Sequence, residues 1–229
     1  MFRVTTCTPF SEISMTVLGD IIDVENYVNQ YLPPAWLKRG SIALNNIDIY
    51  VNKISGQLLS SRIDLRGYEE QAEIIKVFDR NHYNLIEVAQ KRILINNDET
   101  HFIECLYSKG GDFPYQIDVY VNETRGDLIP KIVLRIIRDL LQKQCHLDEG
   151  IMLHGSTITK KNGHSIVFLA NKGSGKTSWM LKMLKHGWHF LGNDRLFLFV
   201  DDKQDTPKII PYPIAAMLSQ ENLINLPDI

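Results

Sequence analysis

Residues 165 to 177 read Ser165-Ile166-Val167-Phe168-Leu169-Ala170-Asn171-Lys172-Gly173-Ser174-Gly175-Lys176-Thr177, and Ser178-Trp179-Met180-Leu181-Lys182-Met183-Leu184 follow. The first six residues are nearly all apolar, which predicts a strand buried on both faces. The last seven suit a helix, closed by His186-Gly187. Between them lies a polar stretch with two glycines. In a strand, loop and helix of this order, successive backbone N–H groups turn inward around an anion, and the helix adds the positive end of its dipole. Gly173 and Gly175 let the backbone approach without a Cβ clash.

The loop matches the phosphate-binding pattern of Gly or Ala, four free residues, then Gly-Lys-Ser/Thr, with Ala170 in the first position. Ordinary residue frequencies give this pattern by chance in roughly one or two per cent of chains of this length. The flanking strand and helix reduce chance further. The expected nucleotide site comprises Asn171, Lys172, Gly173, Ser174, Gly175, Lys176, Thr177 and Ser178. Lys176 would serve the β- and γ-phosphates of ATP as a point charge, and Thr177 would offer its hydroxyl to Mg²⁺. A glycine-rich turn that merely joins strand to helix is the plain alternative.

Upstream, Ile151-Met152-Leu153-His154-Gly155-Ser156-Thr157-Ile158-Thr159 precedes Asn162-Gly163, a dipeptide that tolerates the positive φ of a tight hairpin turn. Pairing with residues 165–170 would carry His154 toward the loop; a histidine in a strand is otherwise a satisfied core or edge residue. Downstream, Trp188-His189-Phe190-Leu191 and Leu196-Phe197-Leu198-Phe199-Val200 are strand-like runs split by Gly192-Asn193-Asp194-Arg195. Asp194 is a candidate metal ligand or proton acceptor, or else a turn residue beside Gly192-Asn193.

From Asp127, read as an N-cap, Leu128, Ile129, Ile132, Val133, Ile136, Ile137, Leu140 and Leu141 recur at helical spacing. Arg135, Arg138, Gln142 and Lys143 fall on the other face and read as solvated. The first 125 residues carry β-rich runs. Ser41–Leu44 and Ile47–Val51 predict a hairpin about Asn45-Asn46, after a break at Pro33-Pro34. Arg92–Ile95 and His101–Cys105 predict another about residues 96–99; Gln116–Val121 reads as a strand and Glu69–Phe78 as a short helix. This half reads as a small α+β module without a chemical signature.

The composition narrows the classes. The chain has 229 residues, 25 basic against 27 acidic, and a net charge of −2, with no basic patch; nucleic acid and anionic membrane are not expected partners. Three scattered cysteines suit neither a disulfide framework nor paired zinc ligands. No apolar run approaches a membrane span, and the amino terminus lacks a signal pattern, so a cytoplasmic protein is expected.

Taken in order, Leu153-His154-Gly155-Ser156, the apolar strand, Gly173-Ser174-Gly175-Lys176-Thr177, the helix ending at Gly187 and Phe190-Leu191-Gly192-Asn193-Asp194 resemble the catalytic domain of HPr kinase/phosphorylase. The likeness is to its relatives beside peptide-modification genes, including lasso-peptide kinases, and covers about residues 128–215. It implies an α/β fold with a P-loop kinase domain of the HPr kinase and phosphoenolpyruvate carboxykinase type over 126–229, preceded by the α+β module at 1–125. The implied activity is ATP- and Mg²⁺-dependent phosphorylation of a hydroxyl, above all serine, on a peptide or protein acceptor, such as a ribosomally made peptide. His154, Lys176 and Asp194 would be the catalytic residues, with Thr177 and Asp194 on the metal.

The sequence departs from the family at Asn193, where the family has the first of two aspartates, and a catalytically weak nucleotide-binding regulatory module is the competing expectation. An ATPase or GTPase is weaker, because there is no Walker B strand and no guanine-reading Asn-Lys-x-Asp. The family continues well beyond the acidic pair, and Pro211-Tyr212-Pro213-Ile214 resembles the start of its acceptor-binding part; a C-terminal truncation is therefore expected. HPr-type kinases are hexamers, so a homo-oligomer is a further expectation of the resemblance.

Overall fold

The computed structural model describes residues 1–32, 45–63, 73–77, 81–171, 173–201 and 204–212. The chain is mixed α/β with a mostly sheet core, and it divides into two compact units. Of the described residues, Met1–Cys7, Glu12–Gln30 and the chain from Asn45 as far as Leu140 belong to the first; Thr8–Ser11, Tyr31, Leu32 and the chain from Leu141 onward belong to the second.

The first unit is built on eight strands. In chain order they are β1 (Phe2–Cys7), β2 (Glu12–Gly19), β3 (Asn45–Ile54), β4 (Glu73–Val77), β5 (Asn81–Val88), β6 (Lys91–Asn96), β7 (His101–Tyr107) and β8 (Pro114–Asn122). They lie in the order β1-β2-β3-β8-β7-β6-β5-β4. β3 pairs in parallel with both β2 and β8, and the other neighbours are antiparallel. Helices α1 (Val24–Tyr31) and α2 (Gly56–Ile63) flank β3 in sequence.

The central strands are rich in β-branched residues that suit a pleated, buried surface. Ile13, Met15, Val17, Ile47, Ile49, Val51, Ile117, Val119 and Val121 are all buried. A second cluster joins Leu59 of α2 to Ile86, Ile95 and Phe102. A polar chain is buried beside them: the Tyr83 hydroxyl meets His101 Nε2 at 2.9 Å, Thr100 Oγ1 meets His101 Nδ1 at 2.9 Å, and Arg135 donates to the Tyr83 hydroxyl at 3.2 Å.

Three sequence expectations change here. Asn45 and Asn46 are strand residues of β3, paired in parallel with Ile13 and Ser14, so they form no hairpin turn; parallel partners arrive from distant sequence, which local alternation does not reveal. Their expected partner strand, Ser41–Leu44, and the Pro33-Pro34 break lie outside the described residues. Within the expected helix Glu69–Phe78, Glu73–Val77 is strand β4, held antiparallel by β5, so tertiary pairing overrides helical spacing. Residues 69–72 and 78 are outside the described set. The hairpin of β6 and β7 and the strand at 116–121 form as expected.

Helix α3 (Ile129–Leu147) follows a short 3-10 turn over Glu123–Leu128. Asp127 lies inside that turn and is not the cap; the Asn122 side chain accepts from the Thr124 backbone N–H at its start. The predicted stripe is buried, from Ile129 to Leu141, and Leu134 is buried as well. Arg135, expected to be solvated, instead engages Tyr83. The division into units falls within α3, between Leu140 and Leu141, whereas the sequence places its boundary at 125/126.

The second unit holds β9 (Ile151–Thr159), β10 (Ser165–Leu169), α4 (Lys176–Leu184), β11 (His189–Gly192), β12 (Arg195–Asp201) and β13 (Gln204–Pro211). The sheet runs β10-β9-β12-β13, with β11 also on β9. Leu141, Cys145, Phe197, Phe199 and Tyr212 form one core; Ile158, Met180 and Leu181 form another, with Ile166 and Phe168 against it. Thr8–Ser11 joins this unit because the Thr8 and Ser11 hydroxyls both donate to the Asp148 carboxylate, and Gln144 donates to Ser11 at 3.0 Å.

β10 corrects a further expectation, because it is not buried on both faces. It ends the sheet order among the described strands, its three central residues are half-buried, and Leu169 is exposed. Its apolar character is used on the side that meets α4, where Ile166 and Phe168 pack. Among the described residues no helix is long and apolar enough to cross a membrane.

Candidate functional site

One strand organises the site. Asn162-Gly163 turns the chain, with Gly163 at φ +85° and Lys160 N–H donating to the His164 carbonyl at 2.8 Å. β10 therefore returns along β9 in a fixed register that sets Leu169 opposite Gly155. On the other edge of β9, Arg195 of β12 stands opposite His154, and Gly192 of β11 stands opposite Thr157. The loop that begins at Ala170, the His154-Gly155 pair and the Asn193-Asp194 turn thus meet at one level of the sheet. Gly155 belongs there because a Cβ would lie 2.8 Å from the Phe168 carbonyl oxygen and 2.8 Å from Leu169 Cδ2.

The loop is curled. Gly173 and Gly175 hold φ of +83° and +84°, values that disfavour other residues, and neither has an atom within 4 Å of where a Cβ would stand. Ser174 N–H donates to the Asn171 carbonyl at 3.3 Å, and α4 begins at Lys176 with Gly175 as its left-handed N-cap. The N-cap offers no side chain to the first amides of the helix, which leaves them as donors for an anion. Lys172 lies outside the described residues. Asn171, Ser174 and Ser178 are exposed, while Gly175, Lys176 and Thr177 are half-buried.

The Lys176 ammonium folds back over the loop and donates to the carbonyl oxygens of Ala170 at 2.6 Å and Asn171 at 3.0 Å. Carbonyl dipoles are weaker partners for a cation than a phosphate oxygen, so an entering anion would take their place. One turn into α4, Trp179 is 56% exposed, with the Lys182 ammonium 5.3 Å from its ring centre.

Across β9, Asp194 takes φ +76°, an uncommon conformation for a residue with a Cβ. Two hydrogen bonds hold its turn. Gly155 N–H donates to the Asp194 carbonyl at 3.2 Å, and the Ser156 hydroxyl donates to Asn193 Oδ1 at 2.5 Å. The Asp194 carboxylate lies 3.3 Å from His154 Nδ1 and 4.0 Å from Arg195 Nε. Both His154 and Asp194 are open to solvent, with side chains 61% and 46% exposed. A carboxylate beside an imidazole in reach of water can accept a hydroxyl proton or hold a hard cation.

The structure thus brings His154 and Asp194 into direct contact, with the loop starting at the same level of the sheet. The bond between Ser156 and Asn193 and the approach of Arg195 to Asp194 are not among the sequence expectations. Only the register of β9 against β12 reveals them; a signal for Ser156 was its place in the His154-Gly155-Ser156 stretch.

For Mg²⁺, no cluster of three His, Cys, Asp or Glu residues among the described residues could hold a metal ion by itself. The donor set fits magnesium only in the form that phosphate-bound magnesium takes, with one or two protein oxygens and the rest from phosphate and water. Thr177 and Asp194 would be those oxygens, and the ion would supply charge neutralisation to the phosphates. Comparison with protein-family models, with curated proteins and with solved structures gave no match for this chain.

Proposed function

We propose that the chain is an ATP- and Mg²⁺-dependent kinase that phosphorylates a hydroxyl, above all a serine hydroxyl, of a peptide or protein. The observation that carries the reading is the register of β9, which sets Gly155 opposite the end of β10 and His154 opposite Arg195. A glycine-bearing loop with a lysine, and a turn with an open carboxylate, therefore lie on either side of one histidine-bearing strand. Phosphoryl transfer needs chiefly positioning and charge neutralisation.

In this reading the loop amides and the start of α4 bind the triphosphate, and Lys176 leaves the Ala170 and Asn171 carbonyls for a phosphate oxygen. Asp194 accepts the proton of the acceptor hydroxyl, and His154 orients that carboxylate through its contact at 3.3 Å. Incubation with labelled ATP, Mg²⁺ and candidate peptides, followed by mass spectrometry, tests the reading: it expects a gain of one phosphate that Asp194→Asn abolishes. Mg-nucleotide binding without transfer to any acceptor, and indifferent to Asp194→Asn, would favour a nucleotide-binding regulatory module. Asn193 favours that second reading, because its amide cannot act as a base and leaves Asp194 as the one carboxylate of the turn.

A further inference from the structure

We infer that Ser156 and Asn193 form a positioning pair, in which a neutral amide, locked by a buried hydroxyl, fixes the backbone turn that presents Asp194. The inference rests on the kinase reading and assigns neither residue to the nucleotide or the metal. Ser156 is fully buried, and its hydroxyl donates to Asn193 Oδ1 at 2.5 Å. The next residue along β9 from this bond, Gly155, donates its N–H to the Asp194 carbonyl at 3.2 Å. Consecutive residues of β9 therefore grip consecutive residues of the turn, one through a side chain and one through the main chain.

Asp194 needs such a grip, since φ +76° is costly for a residue with a Cβ and persists only where neighbours over-determine it. Releasing the Asn193 side chain would let the turn relax toward ordinary backbone angles and carry the Asp194 carboxylate away from His154. Asparagine suits the position for an electrostatic reason. Its oxygen accepts the Ser156 hydrogen bond without setting a second negative charge beside the Asp194 carboxylate. The amide thus supplies the neutral acceptor of this turn, and the charge is left to Asp194.

Two measurements on the full chain test the pair. Hydrogen exchange at the Gly155 amide reads the turn directly: Ser156→Ala and Asn193→Ala should each speed it about tenfold, while Asn193→Asp, which keeps the acceptor oxygen, should leave it slow. Turnover of Mg-ATP with a peptide acceptor reads the consequence. The same two alanine variants should lower kcat about 10- to 100-fold, with the affinity for Mg-ADP changed by less than about twofold. Unaltered Gly155 exchange in both alanine variants would overturn the pair, and so would a loss of Mg-ADP affinity in step with kcat, which marks a general structural role. If the unmodified protein binds no Mg-nucleotide, the kinase reading falls and the catalytic half of the inference with it. The Gly155 exchange rate still decides whether Ser156 and Asn193 hold the turn.

Discussion

The two units use their polar groups in opposite ways. In the first, His101 is buried and has partners at both ring nitrogens, Tyr83 and Thr100, with Arg135 closing the chain. In the second, His154 and Asp194 meet while open to solvent, and the Lys176 ammonium donates to two backbone carbonyls. A satisfied, buried histidine stabilises a fold, whereas an exposed imidazole and carboxylate on a strained turn contribute little to stability. The contrast makes the first unit's polar chain scaffold and, in the kinase reading proposed above, leaves chemistry to the second unit's strand end.

The largest effect that could break this contrast concerns Lys176. If the kinase reading holds, Lys176→Met should reduce phosphoryl transfer roughly 100- to 1000-fold in the labelled-ATP assay and weaken nucleotide binding, because it removes the cation that this reading gives to the phosphates. Full activity in that variant would end the assignment of the second unit to chemistry. Next comes the core that carries the site: Phe197 is fully buried among Leu141, Cys145, Phe199 and Tyr212, so Phe197→Ala should cost about 3–5 kcal/mol in urea unfolding.

The third concerns the scaffold histidine. Burial, with Arg135 and Arg125 nearby, lowers the His101 pKa from 6.5 to about 4. The unfolded chain then binds more protons than the native one between these values. Stability contributed by neutral His101 is full above pH 6.5 and is lost as pH falls through about 4, by up to about 3 kcal/mol. His101→Gln should flatten that slope in acid unfolding curves, and an unchanged slope would remove His101 from the scaffold. The smallest effect is at the hairpin: Gly163→Ala meets no atom within 4 Å and bears only the cost of φ +85°, about 1 kcal/mol.

How legible each region was follows from the range of its interactions. The β9-β10 hairpin was readable because Asn162-Gly163 acts within its own neighbourhood, and the curl at residues 173–175 was readable because glycine marks positive φ. The candidate pair His154 and Asp194 was named from types and spacing, but their contact depends on the pairing of β9 with β12, which no local pattern specifies. The parallel placement of β3 and strand β4 were missed for the same reason. β10 was misread because an apolar run has the same composition whether two neighbours cover it or a single helix does. β1 and β2, whose residues pair from Phe2↔Val17 to Cys7↔Glu12, were not assigned from sequence at all.

Trp179 gives the second unit an optical reporter of its own. Its indole is exposed one turn beyond Lys176 on the same helix, with the Lys182 ammonium near the ring. Occupation of the loop by a polyanion would change the field along that turn, so the emission of this tryptophan should respond to titrated Mg-ADP and lose the response in Lys176→Met. With Trp36 and Trp188 replaced by phenylalanine, a fluorimeter can therefore follow ligand arrival before any acceptor is known.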